Sequence, residues 1–432
     1  MNNKVVSLGI SPKTQPSRTA VEVLAGKKCI SSVPLFSYSA LDFIFDLRNP
    51  GPHNDENRSE FEDMLLAKWE EAEKCKLLNY GLNTMYKLLE GDFNLSVQLN
   101  VERGEMRRKP THFRAVQECF CNLRWNFMKL KEKEVLFYLR RKGSSVGHHA
   151  VAVNAAPLIR GHSLLLPNID HPTPQVLSET AVRLATDTML LSKNNSFHVL
   201  FNSLLACASV NHLHLHLLTW PYDSDLINRR CEHIFDNMYV IKRPIWFAYA
   251  IVFQLDGPEY YEKFVTSVMR CVEYLTTHEV AHNIFLSRAQ PLRTSGDIRS
   301  EDRLNVLPQL VTAYIFPRLS VVGLFTVIIG AKPAKSFSPA SMELSGCLTA
   351  YTYRFFETVT EEGVLRIIDE EATLPVSQFD QICHELAEVL SGKHMFVEHS
   401  VTDERESLSS PELEELRDSF QTFDLQSPRH IY

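Results

Sequence analysis

An α+β fold, with antiparallel sheets flanked by helices, follows from three features of this chain. The run Asn211–Leu218 alternates histidine with leucine at period two, the mark of a strand with two unlike faces. Apolar residues recur at helical spacing over Glu60–Leu89, Ser178–Leu191 and Tyr261–Thr277. Between those stretches lie short β-rich runs set off by glycine and proline turns.

In chain order, the first forty residues mix charge, serine and proline without a period. They read as loosely ordered, with one short apolar element over Ala40–Leu47 and a turn-rich break at Asn49–Asn57. Phe61, Leu65, Trp69, Leu77 and Leu78 predict a helix over Glu60–Leu89. Arg103–Pro110 is basic and ends in proline, so extended chain is expected. Glu134–Leu139 and His149–Asn154 read as strands around a glycine turn, and Gly161–Leu166 as another after the turn Pro157–Arg160. A helix over Ser178–Leu191 precedes strands at Phe197–Asn202 and Asn211–Thr219. The second half repeats this rhythm. It has a helix at Tyr261–Thr277, strands at Asn283–Arg288, Gln309–Pro317 and Leu324–Gly330, then helices at Met342–Thr358 and Phe379–Leu390. The expected organisation is an N-terminal extension (1–58), a half carrying the chemistry (59–240), a second half lacking it (241–395), and a disordered acidic, serine-rich tail (396–432).

A chain of 432 residues has room for two domains. With 44% hydrophobic and 22% charged residues it is globular, and a net charge of −7 argues against a general nucleic-acid partner. No apolar run has the length of a membrane span. The nine scattered cysteines are expected as free thiols, and Cys119 and Cys121 are too close for a zinc knuckle. The first eighteen residues lack the apolar core of an export signal, so the cytoplasm is the expected location.

On a strand, His212, His214 and His216 would share one face and Leu213, Leu215 and Leu217 the other. Three readings compete. The imidazoles are satisfied core residues, or they hold a metal, or they act on a phosphate. Three same-face residues span roughly 13 Å at about 3.3 Å per residue, too far for one ion to reach all three. No carboxylate or cysteine sits nearby to complete a metal shell. Imidazole is a good nucleophile near neutral pH, and flanking imidazoles can donate protons to phosphate oxygens.

Elsewhere, Arg107, Arg108 and Lys109 are a candidate phosphate contact or simply a solvated face. His162 follows a turn glycine and reads either as an orienting residue or as a satisfied buried one. His278-Glu279 with His282 spells a zincin pattern in letters, but its place at a helix end favours a structural role.

The ordered motifs are more specific than the triple histidine alone. They comprise Val153-Asn154-Ala155-Ala156-Pro157, Gly161-His162, Leu164-Leu165-Leu166-Pro167, Pro174-Gln175, Phe201-Asn202-Ser203 and Ala208-Ser209-Val210-Asn211-His212-Leu213-His214. Upstream stand Gln98-Leu99-Asn100, Arg107-Arg108-Lys109-Pro110 and Asn126-Phe127-Met128-Lys129, and downstream Tyr274-Leu275-Thr276 and His278–Asn283. Over Phe61–Leu390 this set resembles the GDP-hexose phosphorylases of the histidine-triad superfamily. Its third histidine makes it most similar to the animal, GDP-glucose branch. The resemblance implies two histidine-triad-like halves related in fold to galactose-1-phosphate uridylyltransferase. It also implies the reaction of GDP-glucose and inorganic phosphate to GDP and glucose 1-phosphate through a guanylyl-histidine, without a metal or cofactor. His214 takes the nucleophile's position. His216 would hydrogen-bond a phosphate or leaving oxygen, and His212 would orient its neighbour. Asn202, Ser203, Ser209 and Asn211, with Arg107, Arg108 and Lys109, make up the substrate-binding set so implied. A homodimer is compatible with the resemblance. Two stretches depart from the family pattern. Leu205 and Ala206 stand where glycines are usual, so the leucine is expected to crowd the pocket or divert the loop, and Leu217–Trp220 replace a Gly-Tyr-Tyr pattern. A superfamily hydrolase that transfers to water, and a guanine-nucleotide-binding protein without turnover, are the alternative functions.

Overall fold

The computed structural model describes residues 33–48, 58–108, 112–144, 147–222, 224–292, 308–321 and 337–392. β1 (Leu35–Tyr38) opens this chain, followed by α1 (Glu60–Lys74). A capping box starts α1: the Ser59 hydroxyl accepts the Glu62 N–H at 3.3 Å and the Glu62 carboxylate accepts the Ser59 N–H at 2.9 Å. The helix stops well short of Leu89. Lys76 turns left-handed at φ +57, and the Leu77 N–H folds back to the Ala72 carbonyl at 3.1 Å. Met85–Leu88 is instead a strand, β2, which pairs with β3 (Ser96–Leu99). α2 (Val101–Met106) occupies part of the segment expected to be extended. Asn100 caps it by accepting the Arg103 N–H at 3.0 Å, and the backbone is extended only from Arg107.

β4 (Val135–Arg141), β5 (His149–Val153) and β6 (Ser163–Leu166) form an antiparallel meander, α3 (Glu179–Leu191) crosses it, and β7 (Phe197–Asn202) and β8 (Leu215–Thr219) follow. β8 is shorter than expected. The Leu213 N–H goes to the Thr173 carbonyl at 3.0 Å, so His212 and His214 precede the strand and His216 alone of the three lies within it. β9 (Glu232–Phe235), β10 (Met238–Ile241) and β11 (Ala250–Gln254) make a second meander, then come α4 (Tyr261–Thr277), β12 (His282–Ala289) and β13 (Leu310–Pro317). The single helix expected over Met342–Thr358 is three elements: α5 (Ser341–Leu344), β14 (Cys347–Ala350) and α6 (Tyr353–Thr358). Gly346 breaks it at φ +92, where a Cβ would sit 3.2 Å from the Trp246 ring. α7 (Glu361–Glu371) and α8 (Val376–Leu390) end the described chain. The expected break at Asn49–Asn57, the strand at Leu324–Gly330 and the tail from Ser400 lie outside the described residues.

The main sheet runs β1-β4-β5-β6-β8-β7-β12-β13-β11-β10-β9, and only the β1–β4 pair is parallel. Each half has one plan, a three-strand meander, a helix, and two strands of which the last inserts beside the meander. The halves join at β7 and β12, with Asn202 opposite Asn283. In this plan β13 corresponds to β8 and carries no histidine. A three-stranded sheet, β14-β3-β2, combines strands from both ends of the chain.

Period-two alternation sorts β8 and the two residues before it between two cores. Leu213, Leu215 and Leu217 join the cluster that α1, α3, α4 and α8 cover, while Leu218 joins the cluster on the opposite side. Fully burying each leucine contributes roughly 1.5–3 kcal/mol, which holds the histidine-bearing edge in register. Among the described residues no helix is long and apolar enough to cross a membrane.

Arg288, fully buried on β12, staples the N-terminal segment to the sheet. Its guanidinium donates to the carbonyls of Ile44 (2.7 Å), Met189 (3.1 Å), Phe45, Gln309 and Ser192 (each 3.3 Å). Burial pulls it down only to about 10, so it stays charged at neutral pH. Arg288→Met leaves those carbonyls short of donors and is expected to lower unfolding free energy by about 3 kcal/mol or more. Urea titration checks this, and a loss below about 1 kcal/mol would show that the staple is dispensable.

Candidate active site

His214 and His216 face a cavity of about 670 Å³, a size suited to a small-molecule ligand. Their ring centroids are 5.3 Å apart. The protonation state of each ring follows from its partners.

His214 Nδ1 lies 2.8 Å from the His212 carbonyl and 2.9 Å from Gln175 Oε1. Both are acceptors, so Nδ1 carries the proton and Nε2 the lone pair. Among the described residues nothing hydrogen-bonds that Nε2. Gln175 also accepts the His214 backbone N–H at 2.9 Å, and its amide donates to the carbonyls of His214 (3.1 Å) and Asn202 (3.0 Å). One side chain thereby fixes the ring of His214 and the end of β7. Burial, opposed by the bond to the His212 carbonyl, lowers His214 to about 4.

His216 has the opposite tautomer. The Leu158 N–H donates to His162 Nδ1 at 2.9 Å, which leaves the His162 proton on Nε2. That N–H points at His216 Nδ1, 3.0 Å away, so the His216 proton sits on Nε2. Asn154 Nδ2 lies 3.1 Å from His162 Nε2, but its Oδ1 accepts the Ala156 N–H, so it faces the protonated ring nitrogen as a second donor and makes no hydrogen bond to it. Burial holds both rings well below their usual value, with the nearby His162 also lowering His216 and Arg103 lowering His162. A lone pair on His214 Nε2 therefore stands beside an N–H on His216.

The remaining expected residues divide. Asn202, Ser209, Arg107 and Arg108 line the cavity. Asn202 Oδ1 accepts from Asn283 at 2.6 Å and from the Ser341 N–H at 3.2 Å, which ties the end of β7 to the second half. His212 does not reach the cavity. It is a neutral brace that accepts the Phe127 N–H on Nδ1 and faces the His171 carbonyl with Nε2, each at 3.0 Å, with Phe127 packed against His214. Ser203 and Asn211 do not reach it either. The Ser203 hydroxyl accepts the His282 N–H, and Asn211 binds the Gln175 N–H and the carbonyls of Glu118 and Cys119. Lys109 lies outside the described residues. Leu205 takes φ +61, the region glycine favours, and packs its side chain against Phe113 and Ala208, away from the cavity, so it does not crowd the pocket. His278 caps α4 and His282 lies on β12, so they do not share a helix face as the zincin pattern requires.

Sequence reasoning missed Glu343, gave no site role to Gln175 although it stands in one of the ordered motifs, nor to Arg103 in its basic segment, and left His162 undecided. Gln175 lies 39 residues from His214, and no local pattern links the two. The cavity wall carries Arg103, Arg107, Arg108, Lys129 and Lys131 against Glu134 and Glu343, an excess of positive charge that suits a polyanion.

The chain resembles known proteins along most of its length. Residues 60–218 match the family model of the GDPGP1-like N-terminal domain and residues 246–393 that of the C-terminal domain. GDP-D-glucose phosphorylase 1 of Caenorhabditis elegans is 48% identical over 98% of this chain and 91% of its own length. The Danio rerio protein of that name is 32% identical over 82% of this chain and 98% of its own. GDP-L-galactose phosphorylase 1 of Arabidopsis thaliana is 25% identical over 74% and 72%. In structure, yeast Ap4A phosphorylase Apa2 in complex with Ap4A superposes with a TM-score of 0.50 at 14% identity, over 73% of this chain and 98% of that one, a likeness of fold.

Unfolded, these imidazoles take up protons near pH 6.5, whereas folded His214 resists until about pH 4. The unfolded state therefore binds more protons in that window. Stability present above pH 6.5 should fall as the pH drops toward 4, by about 1.4 kcal/mol per pH unit for each such imidazole. Urea titrations at stepped pH would show this slope, and a flat profile would contradict the buried neutral rings. Nitrogen NMR of labelled histidine should find the unprotonated nitrogen of His214 at Nε2 and that of His216 at Nδ1, and the reverse pattern would overturn the relay.

Proposed function

Since the chain belongs to the GDPGP1-like family, we propose that it is a GDP-hexose phosphorylase converting GDP-glucose and inorganic phosphate to GDP and glucose 1-phosphate. The opposed tautomers of His214 and His216 carry this reading. A nucleophile needs a free lone pair at neutral pH, and its neighbour must hold a proton to give.

His214 Nε2 would attack the phosphorus next to guanosine as the bond from that phosphorus to the glucose 1-phosphate oxygen breaks. His216 Nε2–H would donate to a phosphate or departing oxygen. The guanylylated ring of His214 becomes cationic, and its Nδ1–H already faces two acceptors, the His212 carbonyl and Gln175 Oε1. An oxygen of inorganic phosphate would then displace His214 to form GDP and restore the neutral ring. Two in-line displacements retain configuration at phosphorus. His212 acts as a positioning residue through Phe127, and Ser209, Asn202, Arg107 and Arg108 would contact the phosphates. We assign the chemistry to 59–240 and a wall-building role to 241–395, which supplies Ser341 and Glu343 to the cavity. None of the eight described cysteines is in a disulfide, which supports a reducing, cytoplasmic setting. A homodimer remains part of this proposal, by analogy with the superfamily.

Incubation with labelled GDP-glucose without phosphate should trap a guanylyl group on His214. His214→Asn should abolish GDP release, a fall of at least about 10³-fold, without lowering the melting temperature. Full activity in that variant would remove His214 from the mechanism. Release of GMP independent of phosphate would make the protein a hydrolase.

A further inference from the structure

The sequence neighbours Arg107 and Arg108 both line the cavity but lie on different aromatic rings of its wall. The Arg108 guanidinium lies over Trp125, 3.8 Å from the ring centroid. Arg107 lies over Tyr351 at 5.0 Å and donates to its hydroxyl at 3.1 Å. Beside the Arg108-covered Trp125 ring the wall has an apolar patch: Phe127 and Leu164 belong to one packed cluster, with Trp125 and Leu130 against it. Such a surface suits a flat base. Near Tyr351 the wall is polar and includes Ser338 and Glu343.

Glu343 is only 5% exposed, yet it lines the cavity. Its carboxylate accepts the Ala340 N–H at 3.1 Å, which fixes its orientation. Among the described residues no cation closes an ion pair with it. Arg103 and Arg107 favour its charge, but burial outweighs them and raises the carboxyl to about 7. The Glu343 backbone N–H also bonds the carboxylate, and a carboxylate held in a cavity wall is stabilised further by a ligand that brings donors to it. Guanylyl transfer at His214 does not use this group.

We propose that Glu343, with Arg107 beside it, is the specificity-determining contact for the hexose of the sugar nucleotide, accepting hydrogen bonds from two of its hydroxyls. This rests on the GDP-hexose reading above. A hexose presents adjacent O–H donors that span a carboxylate's two oxygens. It lacks the flat face that the apolar patch at Phe127 would stack, so base and sugar take different walls of the cavity.

Glu343→Gln and Glu343→Ala test this. Calorimetry compares GDP-glucose with GDP. Steady-state phosphorolysis of GDP-glucose and its C2 epimer GDP-mannose is set beside exchange of labelled phosphate into GDP, which passes through the same histidine adduct without a hexose. Both variants should weaken GDP-glucose binding about tenfold or more and shift GDP less than about threefold. They should raise the KM for GDP-glucose and narrow the preference between the two hexoses, while exchange falls far less. Equal losses for GDP and GDP-glucose would place Glu343 at the base or in the fold and overturn the proposal, as would no change in either. Unaltered protein that binds GDP-glucose but catalyses neither reaction would refute the phosphorylase reading alone, because binding still decides the role of Glu343. Binding of neither nucleotide would refute both. Unchanged melting temperatures separate a lost contact from a lost fold.

Discussion

Backbone amides decide where the imidazole protons sit, and the site depends on that constraint. The Leu158 N–H compels His162 to accept on Nδ1, His162 then donates to His216, and His216 must present its own N–H to the cavity. On the other side the His212 carbonyl accepts a hydrogen bond from His214 Nδ1–H, which leaves the lone pair on Nε2. Neither ring can change tautomer without leaving a buried polar group unmatched. A main-chain group cannot swing away as a side chain can, so the arrangement is as rigid as the turns that carry it.

Those turns are rigid because the sheet is. β6 and β7 flank β8, so His216 is hydrogen-bonded into the middle of the sheet. The leucines on its reverse face lie beneath a helical layer. The segment before β8, which holds His212 and His214, is not strand. It is tied by Gln175, Asn211 and the Thr173 carbonyl, polar partners that replace the missing ladder. This satisfies the backbone accounting that any buried irregular segment must meet. The second half takes part in the site physically. Its strand β12 pairs with β7, and its Ser341 N–H and Asn283 amide hold Asn202 in the cavity wall.

Burial also shapes the site's electrostatics. The imidazoles are kept neutral by desolvation, while the arginines at the rim remain charged. A neutral imidazole and a cationic wall are what the proposed reaction demands, since a polyphosphate needs positive charge around it but an uncharged lone pair to react with it. Leu205 and Cys207, both in the left-handed region without being glycines, show that the loop between β7 and the histidines keeps a demanding backbone path at some conformational cost.

Local pattern was sufficient for long, well-capped elements. Phe197–Asn202 and Tyr261–Thr277 have the bounds their periodicity predicts, and the alternating histidines and leucines identified the chemical edge and its apolar reverse. It failed where partners distant in sequence overrode propensity. Met342–Thr358 breaks at Gly346 so that Cys347–Ala350 can pair with Ser96–Leu99, some 250 residues away, and Asn211–His214 leaves the strand for contacts with Thr173 and Gln175. The chain by itself determined that imidazoles would line one place and which family's motifs surround them, because those are properties of order along the backbone. Tertiary structure alone decided that His212 braces while His214 faces the cavity, that His162 sets the proton on His216, and that Glu343 enters the wall. Proton position and exposure depend on which groups meet in space, and sequence neighbours carry no record of that.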